Sequence, residues 1–280
     1  MEVIREIDQL QQKLERIGEK SIGLIETKGI LHQGHANLIR AARVENKILI
    51  VTSLPFEESW IDKEDKVLYS KQQVESIELA SLSGADFLFC PDVESIYKKE
   101  SMATVQIKSP QINELNGKYI DYASRLTIIT IMLNIIKPQR LYMSNKDLQM
   151  VQFTKALLKD FHYNCKLCVL PVLRDENEMI IDTRLNGLKK DEKRQVAHLH
   201  RVLQKAQKAY QKGMISSRKV KWHIENEISN LYLCKLEFVE IVEPVRLTRI
   251  ETITEEAVIV LTVRVGSFII SDYIVLKRND

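Results

Sequence analysis

The 280-residue chain has few residues that interrupt helices and strands or form disulfides, with nine glycines, six prolines and four cysteines. Aromatic residues make up only 6% of it, and no apolar run approaches the roughly 20 residues that cross a bilayer as a helix. Residues 1–20 are charged and indicate an amphipathic helix without the apolar core of a signal peptide. Without a long apolar run or a signal-peptide core, the sequence predicts no membrane-spanning helix, and we expect a cytoplasmic protein.

Charge is nearly balanced, with 41 Lys and Arg residues against 38 Asp and Glu residues and a formal net charge of +3. Proteins that bind nucleic acid or an anionic membrane by electrostatics carry a marked basic excess, so neither partner is favoured. The length allows one large or two modest domains. A content of 45% hydrophobic and 28% charged residues is ordinary for a globular protein.

The cysteines include one C-x-x-C pair, Cys165 and Cys168, within a strand-like segment. Residues three apart on a strand point to opposite faces, so the two thiols would not meet. No second pair completes a zinc site. The sequence therefore predicts neither a redox nor a metal role for these cysteines.

Strand-like and helical patterns alternate through the first half of the chain. The strand-like runs are 22–25, 48–53, 87–90, 140–143 and 166–171, and the helical patterns between them are 35–45, 71–83, 122–136 and 148–161. Strands that alternate with helices of about 10–15 residues predict an α/β fold built on a parallel, doubly wound sheet.

The pattern changes near Leu173. Two amphipathic helices, about 191–212 and 217–231, are followed by β-rich runs at 236–241, 257–265 and 268–276. We therefore predict a larger α/β domain over residues 1–174 and a smaller α+β domain over residues 175–280. The cleft between two such domains is a favoured ligand site.

The most informative segment is K-G-I-L-H-Q-G-H-A-N-L, residues 28–38, which carries His32, Gly34 and His35 as H-x-G-H. It lies between a strand-like and a helical run, as the first strand-to-helix turn of a nucleotide-binding sheet does. The N–H groups and dipole of a helix N-terminus favour phosphate, and two imidazoles there can donate to one phosphate group. The pattern is typical of enzymes that attack the α-phosphorus of a nucleoside triphosphate and release pyrophosphate. Two ordinary surface histidines would give the same motif.

Two further segments carry residues suited to phosphate. Ser144-Asn145-Lys146-Asp147 follows a strand at the carboxyl edge of the sheet, where ligands bind. There Lys146 could neutralise phosphate, and Asp147 could accept from ribose hydroxyls or orient Lys146. Asp182-Thr183-Arg184 lies in a loop, where the forked donors of Arg184 suit phosphate and Thr183 adds a hydroxyl. A polar helix start and a surface arginine are the alternatives.

These three segments, in this order and spacing, resemble the pantothenate synthetase (pantoate–β-alanine ligase) family, and the similarity runs over nearly the whole chain. It includes T-I-I-T-I-M-L-N-I-I-K-P-Q-R-L-Y-M-S-N-K-D at 127–147 and V-G-S-F-I-I-S-D-Y-I at 265–274. The resemblance implies a homodimer of two-domain subunits, in which a Rossmann-like domain binds nucleotide and the C-terminal domain closes over the cleft.

The resemblance also implies a two-step reaction and its residues. ATP, accompanied by Mg²⁺, and a carboxylate (pantoate in the family) form an acyl-adenylate and pyrophosphate. An amine (β-alanine in the family) then attacks the acyl carbon and releases AMP. By position, His35, His32 and Lys146 are the implied catalytic residues, with His35 as the proton donor. The implied ATP-binding residues are Lys28, Gly29, Leu31, His32, Gly34, His35, Ser144, Asn145, Lys146, Asp147, Leu173 (at the adenine), Asp182, Thr183 and Arg184.

The sequence departs from the family pattern on the substrate side. Lys28, Glu57 and Met150 are the implied substrate-binding residues, and they replace a pocket methionine and two glutamines that contact pantoate. Met150 cannot donate a hydrogen bond, and Glu57 repels a carboxylate when ionised. Because an unpaired buried charge is costly, we expect Lys28 to pair with Glu57 or to face the acid. Either the acid differs from pantoate, or other contacts hold pantoate.

Two positions tied to the metal in the family also differ, because Ser76 and Leu79 replace an aspartate and a glutamine. The leading hypothesis is an ATP-dependent ligase acting on pantoate and β-alanine. The alternatives are the same chemistry on another acid or amine, a non-catalytic nucleotide-binding homologue, and a plain nucleotidyltransferase. Retention of His32, His35, Lys146 and Arg184 argues against the non-catalytic homologue, and the 127–147 match argues against the nucleotidyltransferase.

Overall fold

The structure, a computed structural model, describes residues 1–18, 21–27, 29–54, 63–96, 101–108, 121–181, 185 and 187–278, without side chains for 63–72 and 93. The chain divides into two compact units. One comprises Met1–Lys108 and Asp121–Leu173, and the other contains Arg174–Asp280. The nucleotide-binding role of residues 1–174 and the closing movement of residues 175–280 stay predictions. No helix among the described residues is long and apolar enough to span a membrane.

The first unit is a six-stranded parallel sheet with helices between its strands. In chain order the elements are β1 (Glu2–Ile4), α1 (Ile7–Ile17), β2 (Ile22–Ile25), α2 (Gln33–Glu45), β3 (Ile48–Thr52), α3 (Lys63–Ser83), β4 (Phe87–Phe89), α4 (Val93–Ile96), α5 (Tyr122–Ile136), β5 (Arg140–Ser144), α6 (Leu148–Asp160) and β6 (Lys166–Leu170). The strand order is β1-β4-β3-β2-β5-β6. The predicted α/β class with a doubly wound sheet is confirmed.

The strand order reverses at β2, which pairs with β3 on one side and with β5 on the other. All four residues of β2 are buried, as expected for a central strand covered on both faces. In open α/β sheets, ligands bind at the carboxyl ends of the strands where the order reverses. The segments that follow β2 and β5 therefore lie at the favoured ligand position, and they carry the H-x-G-H motif and Lys146.

The N-terminus differs from the predicted amphipathic helix over residues 1–20. Glu2–Ile4 is a strand, in which Val3 pairs with Leu88 and Ile4 pairs with Phe89. Ile4 is fully buried. Burial of β-branched side chains at the sheet edge outweighs the helical periodicity here, and the helix begins only at Ile7.

The second unit packs two helices against a three-stranded antiparallel sheet. Its elements are α7 (Lys190–Gln211), α8 (Ser217–Ser229), β7 (Cys234–Val242), β8 (Ala257–Val265) and β9 (Phe268–Leu276), with β8 in the centre. The nine residues of β8 are mostly apolar, and the strand is buried over nearly its whole length. Its core partners include Leu199 and Leu203 on α7, so the amphipathic face of α7 covers the sheet.

A largely buried ion pair joins Arg174 to the last strand of this unit. Arg174 donates to both carboxylate oxygens of Asp272, at 3.0 and 2.8 Å, and Nδ1 of His200 lies 3.3 Å from the same carboxylate. Arg174 also bridges to Ile180, which closes a short hairpin. Burial raises the pKa of Asp272, but the nearby His200 imidazole and the hydrogen bonds and charge of Arg174 outweigh it and hold that pKa below its usual value.

Candidate active site

Hydrogen bonds hold the turn after β2 against the end of β3. The hydroxyl of Thr27 donates to the carbonyl of Thr52 at 2.6 Å, and the hydroxyl of Ser53 donates to the carbonyl of Gly29 at 2.9 Å. Gly29 has φ of 113°, a conformation that favours glycine because it has no Cβ. The backbone that leads into the H-x-G-H motif is therefore fixed before the histidines are reached.

A serine on α3 supports the same turn. The N–H of Leu31 donates to Oγ of Ser76 at 2.9 Å, and Ser76 is only 1% exposed. The bond satisfies a backbone donor that is buried just ahead of α2. Ser76, at a position tied to metal in the family pattern, supports the turn before α2 in this chain.

The two histidines cap the N-terminus of α2. Nδ1 of His32 accepts from the N–H of Gly34 at 3.0 Å, and Nδ1 of His35 accepts from the N–H of His32 at 3.2 Å. Because each Nδ1 is an acceptor, each neutral imidazole carries its proton on Nε2. The ring centroids are 4.0 Å apart, which places two donor edges side by side at a helix N-terminus, where anions bind.

Gly34 is required by the position of the His32 ring. A Cβ at Gly34 would lie 2.8 Å from Cε1 and 2.9 Å from Nδ1 of His32. Any larger residue would displace the ring from its capping position. The glycine of H-x-G-H therefore gives His32 the space to lie across the first turn of α2.

The segment after β5 is fixed by its own polar residues. The N–H of Lys146 donates to Oγ of Ser144 at 3.2 Å. Asn145 joins two strand ends, because its N–H donates to the carbonyl of Leu170 at 2.9 Å and its Oδ1 accepts from the N–H of Val172 at 2.7 Å. Ser144 and Asn145 thus hold the backbone from which the Lys146 side chain extends.

Asp147 caps α6 and is the centre of a polar cluster. Its Oδ1 accepts from the N–H of Met150 at 3.0 Å and from the hydroxyl of Tyr122 at 3.2 Å. Arg125 donates to its Oδ2 at 2.7 Å. The same Tyr122 hydroxyl lies 2.9 Å from Oε1 of Gln149. These contacts fix the first turn of α6 directly after Lys146.

Comparison with known proteins identifies the chain. A model of the family described as pantoate-beta-alanine ligase matches residues 2–275. The chain belongs to this family. A pantothenate synthetase of Thermosipho melanesiensis is 28% identical over 285 residues, covering 99% of each chain.

Solved structures of family members have the same fold. A pantothenate synthetase of Thermus thermophilus superposes with a TM-score of 0.87 at 20% identity and covers 99% of this chain and 100% of its own. A pantoate-beta-alanine ligase of Francisella tularensis, complexed with beta-gamma ATP and beta-alanine, has a TM-score of 0.77 at 26% identity. It covers 98% of this chain and 97% of its own.

The structure groups many of the residues that the family pattern implies. Gly29, Leu31, His32, Gly34 and His35 lie on the turn after β2 and in the first turn of α2. The group Ser144, Asn145, Lys146 and Asp147 follows the neighbouring strand β5, and Leu173 follows β6. Their individual roles stay predictions, as does the contact of Leu173 with adenine.

The remaining implied residues divide into two groups. Lys28, Glu57, Asp182, Thr183 and Arg184 lie outside the described residues, as does the expected Lys28–Glu57 pair. Met150 is described and is fully buried on α6. Its thioether can supply only a weak acceptor, so the substrate-binding role implied for this position is not explained by its side chain.

The described residues do not fit a protein-held Mg²⁺ at the position that the family pattern implies. Ser76 is engaged with the backbone of Leu31, and Leu79 has no oxygen ligand to offer. Within the described ranges, no group of three or more His, Cys, Asp or Glu residues is placed to hold a metal. Mg²⁺ prefers phosphate, carboxylate and water oxygens.

Sequence reasoning missed the residues that support the site from a distance. Arg125 and Tyr122 contact Asp147, which lies more than twenty positions later in the chain. Ser76 contacts Leu31 across 45 positions. No local spacing links such pairs. Ser76 gave one signal, because it departs from the family pattern.

Proposed function

We propose that this chain is an ATP-dependent, AMP-forming ligase that joins pantoate to β-alanine through an acyl-adenylate. The observation that carries the proposal is the pair of histidines capping α2, beside the Lys146 segment, at the point where the strand order reverses. Membership of the pantoate–β-alanine ligase family supports the choice of substrates. ATP binding is proposed at this edge of the sheet.

The N-terminus of α2 and the two histidines suit the triphosphate. The helix end offers N–H groups and the positive end of its dipole. Nε2–H of His32 and of His35 would donate to phosphate oxygens, since both Nδ1 atoms are held by backbone N–H groups. Lys146 would add a point positive charge from the neighbouring segment. Together these groups stabilise negative charge that grows on the phosphates during transfer.

In the first step, an oxygen of the acid attacks the α-phosphorus and forms the acyl-phosphate bond. The bond from the α-phosphorus to the bridging oxygen breaks, and pyrophosphate leaves with the electron pair. His35 is proposed to donate a hydrogen bond from its Nε2–H to the leaving oxygen, which stabilises the charge that develops there while the proton stays on the imidazole. Lys146 is proposed to neutralise the charge that builds up around the α-phosphorus.

In the second step, the neutral amine of β-alanine attacks the acyl carbon. The acyl–oxygen bond breaks, AMP leaves, and the amide nitrogen loses one proton to solvent or to a base. No described residue is assigned to that proton. The chemistry balances with ATP, acid and amine entering and with AMP, pyrophosphate and amide leaving.

Asp147 is proposed to position this site. Its carboxylate is engaged by Arg125, by Tyr122 and by the N-terminus of α6. The salt bridge to Arg125 is partly buried, with side chains 14% and 26% exposed. These contacts hold the turn that presents Lys146, and the implied contact of Asp147 with ATP stays part of the proposal.

A different acid is the second candidate, and the observation that favours it is the fully buried Met150 at a pantoate-binding position. The purified protein should be assayed with ATP, Mg²⁺ and a panel of acids and amines, measuring AMP, pyrophosphate and amide. We expect pantoate with β-alanine to give the highest kcat/KM. A higher kcat/KM with another pair would establish the second candidate, and no turnover with any pair would refute ligase activity.

The assembly and the metal belong to the same proposal. The family pattern implies a homodimer, and light scattering coupled to gel filtration should give twice the 32.5 kDa chain mass. Mg²⁺ is proposed as a companion of ATP, held by phosphate and water oxygens. Titration of activity against Mg²⁺ at fixed ATP should saturate as the MgATP complex forms.

A further inference from the structure

Gln149 carries a buried side-chain amide, and only one end of it has a hydrogen-bond partner. The residue lies in the first turn of α6 and is 3% exposed. Its Oε1 lies 2.9 Å from the Tyr122 hydroxyl, while its Nε2 has no hydrogen-bond partner among the described residues. If the amide is turned over, Nε2 faces Tyr122 and Oε1 becomes the unpaired end. In either orientation, one end of a buried amide is left open.

An open amide end inside a protein is costly. Burial removes its hydrogen bonds to water, and nothing in the chain replaces them at that end. The large majority of buried polar side-chain atoms do have partners, so an exception needs an explanation such as strain or a missing ligand. Gln149 lies within the helix Leu148–Asp160, which argues against strain and leaves a bound water or a ligand as the missing partner.

The position of Gln149 points to the acid substrate. It follows Lys146 by three residues and Asp147 by two, in the turn that Arg125 and Tyr122 hold in place. In the family pattern the acid is held by a glutamine at the next position, which is Met150 here. The side chain of Met150 offers no N–H donor, whereas the neighbouring Gln149 side chain carries an amide.

We propose that Gln149 recognises a hydroxyl group of the acid through the open end of its amide, replacing the glutamine that the family has at position 150. The proposal rests on the proposed ligase function. A hydroxyl both donates and accepts, so it fits either orientation of the amide. Because the amide is closed off from solvent, binding of the acid must uncover it. Loss of a hydrogen bond at such a desolvated position discriminates strongly between substrates.

The test compares Gln149→Leu with the wild type on pantoate and on two analogues, each lacking one of its hydroxyls. In the wild type, one analogue should lose at least about tenfold in kcat/KM relative to pantoate. In Gln149→Leu, pantoate should fall to about the level of that analogue, and the analogue itself should change little. The KM values for ATP and β-alanine should stay within about twofold.

Thr154→Val is the matched control, because Thr154 lies on the same helix, is fully buried, and its Oγ1 also has no partner among the described residues. It lies one and a half turns further from the Lys146 segment. This variant should keep the wild-type preference for pantoate over both analogues. Both variants remove an unpaired polar atom, so neither should lower the melting temperature by more than a few degrees.

Three results would overturn the role of Gln149. These are an unchanged preference for pantoate in Gln149→Leu, an equal loss on all substrates including ATP, or the same loss in Thr154→Val. Turnover by the wild type tests the proposed ligase function independently of the role of Gln149. If pantoate is not used at all, the test is repeated with the acid that the panel identifies. Calorimetry then compares the affinities of the wild type and of Gln149→Leu for that acid, and equal affinities would refute the proposal.

Discussion

At the scale of single residues, the site depends on side chains that hold one another before any ligand arrives. His32 and His35 each accept a backbone N–H through Nδ1, and this sets the tautomer that presents Nε2–H. Preorganised donors of this kind stabilise a transition state without reorganisation during the reaction. One histidine would be enough to cap the helix, whereas the pair presents two Nε2–H donors.

Removal of His35 or Lys146 should therefore slow adenylate formation. We expect His35→Ala and Lys146→Ala each to lose at least about a hundredfold in rate, the amount that one charge-stabilising group typically contributes. Rapid-quench measurement of pyrophosphate formation in a single turnover gives the rate directly. His198→Ala is the control, since His198 is exposed on α7 and contacts only its own helix backbone through Nδ1. A rate near that of the wild type would remove the changed residue from the mechanism.

Gly34→Ala tests the space beneath the His32 ring. The new Cβ would lie 2.8 Å from Cε1 of His32, so the ring must move. We expect ATP affinity to fall at least about tenfold, the equivalent of one lost charge-assisted hydrogen bond. Alanine is the better helix former by roughly 1 kcal/mol, so the thermal midpoint should not fall much. Unchanged ATP affinity by calorimetry would show that the His32 position is unimportant.

At the scale of elements, the sequence pattern predicted the strands and helices better than the side-chain contacts that hold the site in place. The strand β8 at Ala257–Val265 and the helix Tyr122–Ile136 were predicted with their observed bounds, because each is rich in apolar residues over its whole length. Glu2–Ile4 was wrongly placed in a helix, since its pairing partner lies at Phe87–Phe89. The supports Ser76 and Arg125 act through contacts distant in sequence, which no periodicity records.

Ser76→Ala tests the bond between α3 and the turn before α2. It leaves the buried N–H of Leu31 without the oxygen that accepts it. We expect a loss of about 1–3 kcal/mol in the free energy of unfolding, together with a higher KM for ATP because the turn shifts. Urea unfolding and initial rates measure the two effects. An unchanged KM for ATP at reduced stability would limit Ser76 to a purely structural role.

The ion pair of Asp272 predicts a pH dependence of stability. Its pKa is lowered in the folded protein because the nearby His200 imidazole and the hydrogen bonds and charge of Arg174 outweigh the effect of burial. The stabilisation is therefore complete above the unfolded pKa of about 3.9, and it is lost as the pH falls through the lower folded value. Asp272→Asn should cost roughly 3–5 kcal/mol at pH 7, because it leaves Arg174 without its charge partner.

The exposed pair Lys205–Glu227 in the same unit supplies the control. Glu227→Gln should cost less than about 1 kcal/mol at any pH, because exposed ion pairs are screened by solvent. Urea unfolding of both variants at pH 7 and near pH 2 gives the comparison. A cost of Asp272→Asn that does not shrink in acid would contradict the assignment of the lowered pKa.

At the scale of the whole molecule, the chain forms two compact units, and the described residues of the candidate site lie in the unit of Met1–Lys108 and Asp121–Leu173. Resemblance predicted the family, and the match over residues 2–275 confirms it. The acid could not be read from the sequence in the same way. Its implied contacts are Met150, which is buried and apolar, and two residues outside the described ranges, Lys28 and Glu57.

The central claim is that this chain activates pantoate as an adenylate. Pantoate-dependent exchange of labelled pyrophosphate into ATP, without β-alanine, isolates that step from amide formation. We predict exchange that requires pantoate and saturates with it. Exchange that proceeds without any acid would indicate a plain nucleotidyltransferase, and absence of exchange with pantoate while ATP binds would contradict the account.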